Sequence, residues 1–135
     1  MIVVDTNILA YLYLPTPYSE QAEKLFLKDP NWIAPVLWRS ELRNVLALYL
    51  RKQLLTFEQA YDIQTEAEAL LAGKEFDLPS LNVFQLVTAS DCSSYDCEFV
   101  ALAKMFDTTL VTADKKLLSQ FPQIAVSLAG AILQL

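Results

Sequence analysis

Ile2-Val3-Val4-Asp5 decides the fold: an unbroken, β-branched apolar run that stops at a carboxylate. A short run apolar on both faces reads as a strand buried inside a parallel sheet, because a strand with one wet face would alternate. The pattern recurs at Trp32-Ile33-Ala34 before Pro35, at Phe76 to Leu78 before Pro79, and at Thr109-Leu110-Val111-Thr112, with Ala125-Val126-Ser127 as a candidate last strand. Helical patterns lie between these segments. A turn through Ile8 to Leu14 breaks at Pro15 and Pro17, and Tyr18 or Ser19 then opens a helix that ends near Asp29-Pro30. Val36 to Lys52 is the longest helical candidate and is apolar on nearly all sides, so it is expected to be central and largely buried. Thr56 and Gln59 have capping-box spacing for a helix running towards Gly73. Ser80 is expected to cap a helix over Leu81 to Ala89, and further helices are expected over Tyr95 to Phe106 and Asp114 to Gln120. Strands alternating with helices make this an α/β chain, with four to five short parallel strands and helices on both faces. No linker or repeat interrupts it, so residues 1–135 are expected to form a single domain. The apolar tail from Leu128 to Leu135 is expected to pack either on the domain or on a second subunit.

Composition removes whole classes of chemistry. The chain has no histidine, which excludes a Ser-His-Asp triad, a His-His ribonuclease pair and an HExxH zinc site. With only Gly73 and Gly130 it can form neither a phosphate-cradling P-loop nor a GxGxxG turn. Cys92 and Cys97 alone cannot make a four-thiolate zinc site. No apolar run approaches the length of a membrane span, and the N-terminus lacks the basic start of a signal peptide. A cytoplasmic protein with reduced cysteines and no membrane partner is expected. The net charge of −6 argues against nucleic acid as a ligand, unless several carboxylates share divalent cations that offset it.

Four carboxylates stand in positions that suit such sharing. In open α/β sheets the functional crevice lies beyond the carboxyl ends of the strands, where Asp5 and Asp114 fall. Glu41 and Asp96 lie inside strongly apolar helices, where a charge is costly unless it is paired or coordinated. With no histidine available, a shared hard cation is the most economical partner. Each acid also has a plainer explanation. Asp5 suits a helix cap, as does Asp114 before Lys115-Lys116, and Asp96 follows Ser93 at capping-box spacing. Glu41 has apolar Val45 and Leu48 on its face, with Asn44 placed to orient it.

Val3-Val4-Asp5-Thr6-Asn7, Glu41-Leu42-Arg43-Asn44-Val45-Leu46, Tyr95-Asp96-Cys97-Glu98-Phe99-Val100-Ala101-Leu102-Ala103 and Leu110-Val111-Thr112-Ala113-Asp114 together resemble the PIN-domain family, specifically the VapC-like toxins of toxin–antitoxin pairs. The resemblance spans residues 1 to 128 and implies a doubly wound parallel sheet. It also implies Asp5, Glu41, Asp96 and Asp114 as catalytic acids that bind one or two Mg²⁺ or Mn²⁺ ions, with Thr6, Asn7 and Thr112 as polar neighbours. The implied activity is hydrolysis of single-stranded RNA, and the implied partners are a second copy of the chain and an inhibiting antitoxin. Asp91, before the Asp96 helix, departs from the pattern and is read as a turn residue or a fifth acid.

Oxygen ligands suit Mg²⁺ and Mn²⁺, and a metal-activated water would leave 5′-phosphate and 3′-hydroxyl ends without a histidine base. Arg39 and Arg43, four residues apart on the Glu41 helix, are expected to form a basic rim for RNA, helped by Lys115 and Lys116. Two other classes compete. A catalytically silent PIN-like binding or scaffold module would keep the fold and bind no ion. A phosphoaspartyl receiver would need an acceptor Asp after the third strand and a Lys after the last, and no lysine follows Val126.

Overall fold

The computed structural model describes residues 1–134. Leu135, the end of the apolar tail, lies outside the described residues. The elements run β1 (Ile2–Val4), α1 (Thr6–Tyr13), α2 (Ser19–Lys28), β2 (Trp32–Pro35), α3 (Trp38–Arg51), α4 (Phe57–Leu70), β3 (Glu75–Phe76), α5 (Ser80–Thr88), α6 (Ser94–Met105), β4 (Leu110–Val111), α7 (Lys115–Gln120), β5 (Ala125–Val126) and α8 (Leu128–Gln134). The five strands form one parallel sheet in the order β3-β2-β1-β4-β5. Winding proceeds outwards from β1 through β2 to β3, then jumps back to β4 and continues to β5. The direction therefore reverses between β1 and β4, and a crevice opens beyond their carboxyl ends at that point. In receiver-type sheets the first strand lies between the second and third. Here β1 lies between β2 and β4, which excludes the receiver alternative.

Burial corrects the expectation for the long helix. On α3 only Trp38, Leu42 and Leu46 are buried, and Leu48 is 48% exposed. The central helix is α6, which packs on β1, β2 and β4 and buries Cys97, Phe99, Val100, Ala101, Leu102 and Ala103. A helix that is apolar all round signals that several faces could be covered, but not that the same chain covers them. The outer face of α3 instead borders an open apolar groove with α4, lined by Leu46, Ala47, Leu50, Phe57 and Tyr61.

Smaller differences have local causes. The third strand is Glu75–Phe76 rather than Phe76 to Leu78, because the ladder closes with Ala34 N donating to Lys74 O and Val36 N to Phe76 O. Ser80 is the first residue of α5 rather than its cap. Pro79 stands at the cap position, with no side-chain bond. The tail forms α8, which lies against α2 of the same chain and is tied there by Lys28 Nζ donating to Ile132 O. Cys92 and Cys97 are free and buried. No helix among the described residues is long and apolar enough to cross a membrane.

The expected capping box is formed: Gln59 N donates to Thr56 Oγ1 at 3.1 Å and Thr56 N donates to Gln59 Oε1 at 2.9 Å. Thr56→Ala is expected to cost about 1 kcal/mol of stability, read from urea denaturation.

Candidate active site

Three of the four acids are positioned by the bonds that start a helix. Asp5 follows β1 and caps α1, with Oδ1 accepting from Thr6 N at 2.7 Å. Its Oδ2 accepts from the hydroxyl of Thr112 at 2.7 Å. Thr112, fully buried beyond β4, also accepts from Asp114 N at 3.0 Å, so one hydroxyl couples the ends of the two strands at the crevice. Asp114 caps α7 through Oδ1, accepting from Lys116 N at 2.8 Å and Leu117 N at 3.0 Å. Buried Thr6 donates its hydroxyl to Glu41 Oε1 at 2.7 Å, linking the end of β1 to the first turn of α3. Ser93 caps α6 by accepting from Asp96 N at 3.1 Å. The reciprocal bond of a full capping box is not made among the described residues, while the Ser93 hydroxyl favours the ionised form of the Asp96 carboxylate.

A cavity of about 420 Å³ gathers Asp5, Thr6, Asn7, Glu41, Asn44, Asp96 and Asp114. Its walls also include Ser40 and Tyr95, which were not singled out in the sequence. Ser40 precedes Asn44 by four and so shares its helix face, a spacing that marks it in retrospect. No periodicity marks Tyr95. Asp91 lies outside the cavity, where its backbone N–H donates to Gln120 Oε1 at 3.3 Å.

Burial and neighbouring like charges raise the proton affinity of Asp5, Glu41 and Asp96. Burial chiefly pushes Asp5 above the ordinary carboxylate range, and the charges of Asp96 and Asp114 add to it. Burial, Asp5, Asp96 and Glu98 act in the same direction on Glu41, as do burial and Asp114 on Asp96. Among the described residues the ion pairs are Met1–Asp29, Glu20–Lys24, Arg39–Glu68 and Arg39–Glu75, so none of the four acids has a cationic partner. A folded-state pKa above the unfolded one makes ionisation a cost. That cost is full above the folded pKa and is relieved as pH falls from there towards the ordinary carboxylate value. Asp96→Asn in EDTA is therefore expected to raise Tm at neutral pH, by ~2–5 °C. A lower Tm would contradict the repulsion.

The basic rim is only partly assembled. Arg39 turns to β3, where Nε and Nη2 donate to Glu75 at 2.7 Å each, and its Nη1 donates to Glu68 of α4 at 3.1 Å. That fork, with Trp38 Nε1, holds Glu75 below the usual carboxylate range. Arg43 borders the α3–α4 groove instead of the acidic cavity. The charge of Lys116 does reach Asp96, and Lys115 lines a neighbouring cavity.

The donor set fits a hard cation in chemistry: carboxylate oxygens, no thiolate or imidazole, and uncompensated charge. Among the described residues, however, no group of three or more His, Cys, Asp or Glu is set to hold an ion.

A family model described as the PIN domain matches residues 2–124. The chain belongs to the PIN domain family. Its sequence is 30% identical over 126 residues to Ribonuclease VapC3 of Pyrobaculum aerophilum, covering 91% of this chain and 96% of that one. The fold of this PIN domain is similar to the crystal structure of PAE2754 from the same organism, with TM-score 0.76 and 18% identity over 98% of this chain and 87% of that one. It is also similar to FitAcB from Neisseria gonorrhoeae, with TM-score 0.68 and 22% identity over 94% and 96% of the two chains. The doubly wound parallel sheet expected for a PIN domain is the one observed.

Proposed function

We propose that this PIN domain is a Mg²⁺- or Mn²⁺-dependent endoribonuclease that hydrolyses single-stranded RNA as the toxin of a toxin–antitoxin pair. The observation that carries this is the meeting of Asp5, Glu41, Asp96 and Asp114 around one cavity at the switch point of the sheet, with no cationic side chain among the described residues in an ion pair with any of them. The relative matched along almost its whole length is named a ribonuclease, which supports RNA as substrate.

Asp5 and Asp96 would hold the ion directly, with Glu41 and Asp114 holding water or a second ion. When bound, the cation supplies Lewis-acid polarisation of the phosphate and a more acidic water. The protein's own part is orientation. Thr112 fixes Asp5 Oδ2, Thr6 fixes Glu41 Oε1, and the cap of α7 fixes Asp114 Oδ1, so the acids are set before substrate arrives. Asn7, Ser40 and Asn44 offer uncharged donors to the phosphate backbone on the same wall. Lys115 and Lys116 lie on the side of Asp114, where the incoming strand would meet positive charge. A homodimer, an antitoxin partner and action in the cytoplasm complete the proposal.

The test is to incubate the purified protein with tRNA, rRNA and mRNA in Mg²⁺, Mn²⁺ or EDTA and to map the ends. Cleavage confined to the cation-containing samples, leaving 5′-phosphate and 3′-hydroxyl ends, is expected. Equal cleavage in EDTA contradicts the metal dependence. No cleavage of any RNA favours a catalytically silent scaffold.

A further inference from the structure

We propose that a second cavity beside the acidic one is a nucleobase subsite, in which Tyr18 and Tyr11 stack a base of the RNA next to the scissile phosphate. This inference rests on the ribonuclease assignment above. The cavity, of about 360 Å³, lies between α1, α2, α7 and the start of α8.

Continuity with the acidic site is the first support. Thr112 lines this cavity and donates its hydroxyl to Asp5, so one residue touches both the cavity and an acid of the site. The charge of Asp5 also reaches Tyr11, whose phenol is pushed up by burial, by Tyr18 and by Asp5. The second support is shape. The rings of Tyr11 and Tyr18 lie 5.0 Å apart and tilted by 34°, and Tyr18 is 51% exposed, which leaves an aromatic face open to a third ring. Every base has such a face, so this kind of grip suits any sequence. Gln21, three residues on from Tyr18, places an amide on the same wall that can donate to and accept from a base edge, and Lys115 offers a cation for the flanking phosphate.

The third support is electrostatic. In a chain of net charge −6 that has committed Arg39 to Glu75 and Glu68, a grip that does not rest on ion pairs adds to the few cations near the site. Stacking is the contribution that does not depend on charge, and the Tyr11–Tyr18 pair supplies it in the cavity that Thr112 shares with Asp5.

Tyr18 stands at the cap position of α2 without making a side-chain bond there, so its ring can be removed without breaking the helix start. In steady-state cleavage of a single-stranded oligoribonucleotide, Tyr18→Ala is expected to raise KM by about 5- to 100-fold while kcat changes little, with Tm unchanged. Tyr18→Trp, which keeps an aromatic face, is expected to restore KM. A substrate with one abasic ribose beside the cleaved bond is expected to lose the same factor with the wild-type protein and nothing further with Tyr18→Ala. An unchanged KM in Tyr18→Ala overturns the subsite while leaving the ribonuclease assignment standing. If KM is unchanged but the variant self-associates less in sedimentation, the face belongs to a second copy of the chain, which also overturns it. A wild-type protein that cleaves no RNA overturns both.

Discussion

Asp96→Asn is expected to lower kcat/KM for RNA cleavage by on the order of 10³-fold or more while the far-UV spectrum and cooperative unfolding are retained. The size follows from what a bound cation contributes, several kcal/mol of charge stabilisation in the transition state, at about 1.4 kcal/mol for each factor of ten. Retention of the fold follows from the local bonding. Ser93 accepts from the backbone N–H of residue 96, which an amide side chain leaves in place. The Ser93 hydroxyl that favours the Asp96 carboxylate can donate equally to an amide oxygen, and Asp5 and Glu41 are relieved of a like charge. Asp91→Asn is the matched control: Asp91 is exposed and outside the cavity, so no change in rate is expected. Full Mg²⁺-dependent cleavage by Asp96→Asn, or an equal loss in Asp91→Asn, would contradict the assignment of the acids.

Phe99→Ala is expected to cost about 3–5 kcal/mol in urea denaturation, a large share of the ~5–15 kcal/mol that holds a domain folded. Phe99 is fully buried on α6, the helix that lies across β1, β2 and β4. Truncating it leaves a cavity that side chains fixed by the sheet cannot close. Leu48→Ala, on half-exposed ground of α3, is expected to cost less than ~1 kcal/mol. The comparison tests which helix is central. The opposite ranking would return α3 to the middle of the molecule. Because α6 also carries Asp96 in its first turn, loosening it is expected to reduce activity as well.

The central strands were legible because their residues report a local condition. Ile2-Val3-Val4 is buried on both faces wherever it sits in a parallel sheet, and the carboxylate after it falls at the strand's end by covalent connection alone. Asp5 and Asp114 stand out in sequence because each follows a strand, and Glu41 and Asp96 because a charge inside an apolar helix needs an explanation wherever it occurs. Their common cavity depends on the crossing between β1 and β4, which no single segment encodes. The centrality of α3 was misread for the same reason: its leucines specify apolar neighbours but not which ones, and part of the helix is left facing a groove. Arg39 was placed on a rim by helical spacing, whereas Glu75 lies 36 residues away on the edge strand and offers it a bidentate partner. Long-range pairings of this kind leave no periodic mark. Thr112 shows the reverse case. Placed beside the acids only by resemblance, it is the buried hydroxyl that joins Asp5 to Asp114.

Whether these carboxylates share a divalent cation is read most directly from the electron paramagnetic resonance of Mn²⁺ titrated into the metal-free protein. One or two ions per wild-type chain are expected to lose the signal of the free aqueous ion, and this binding should weaken sharply in Asp5→Asn and Asp96→Asn. A free-ion signal undiminished by the wild-type protein, or binding that both variants retain, would contradict a metal centre at the switch point of the sheet.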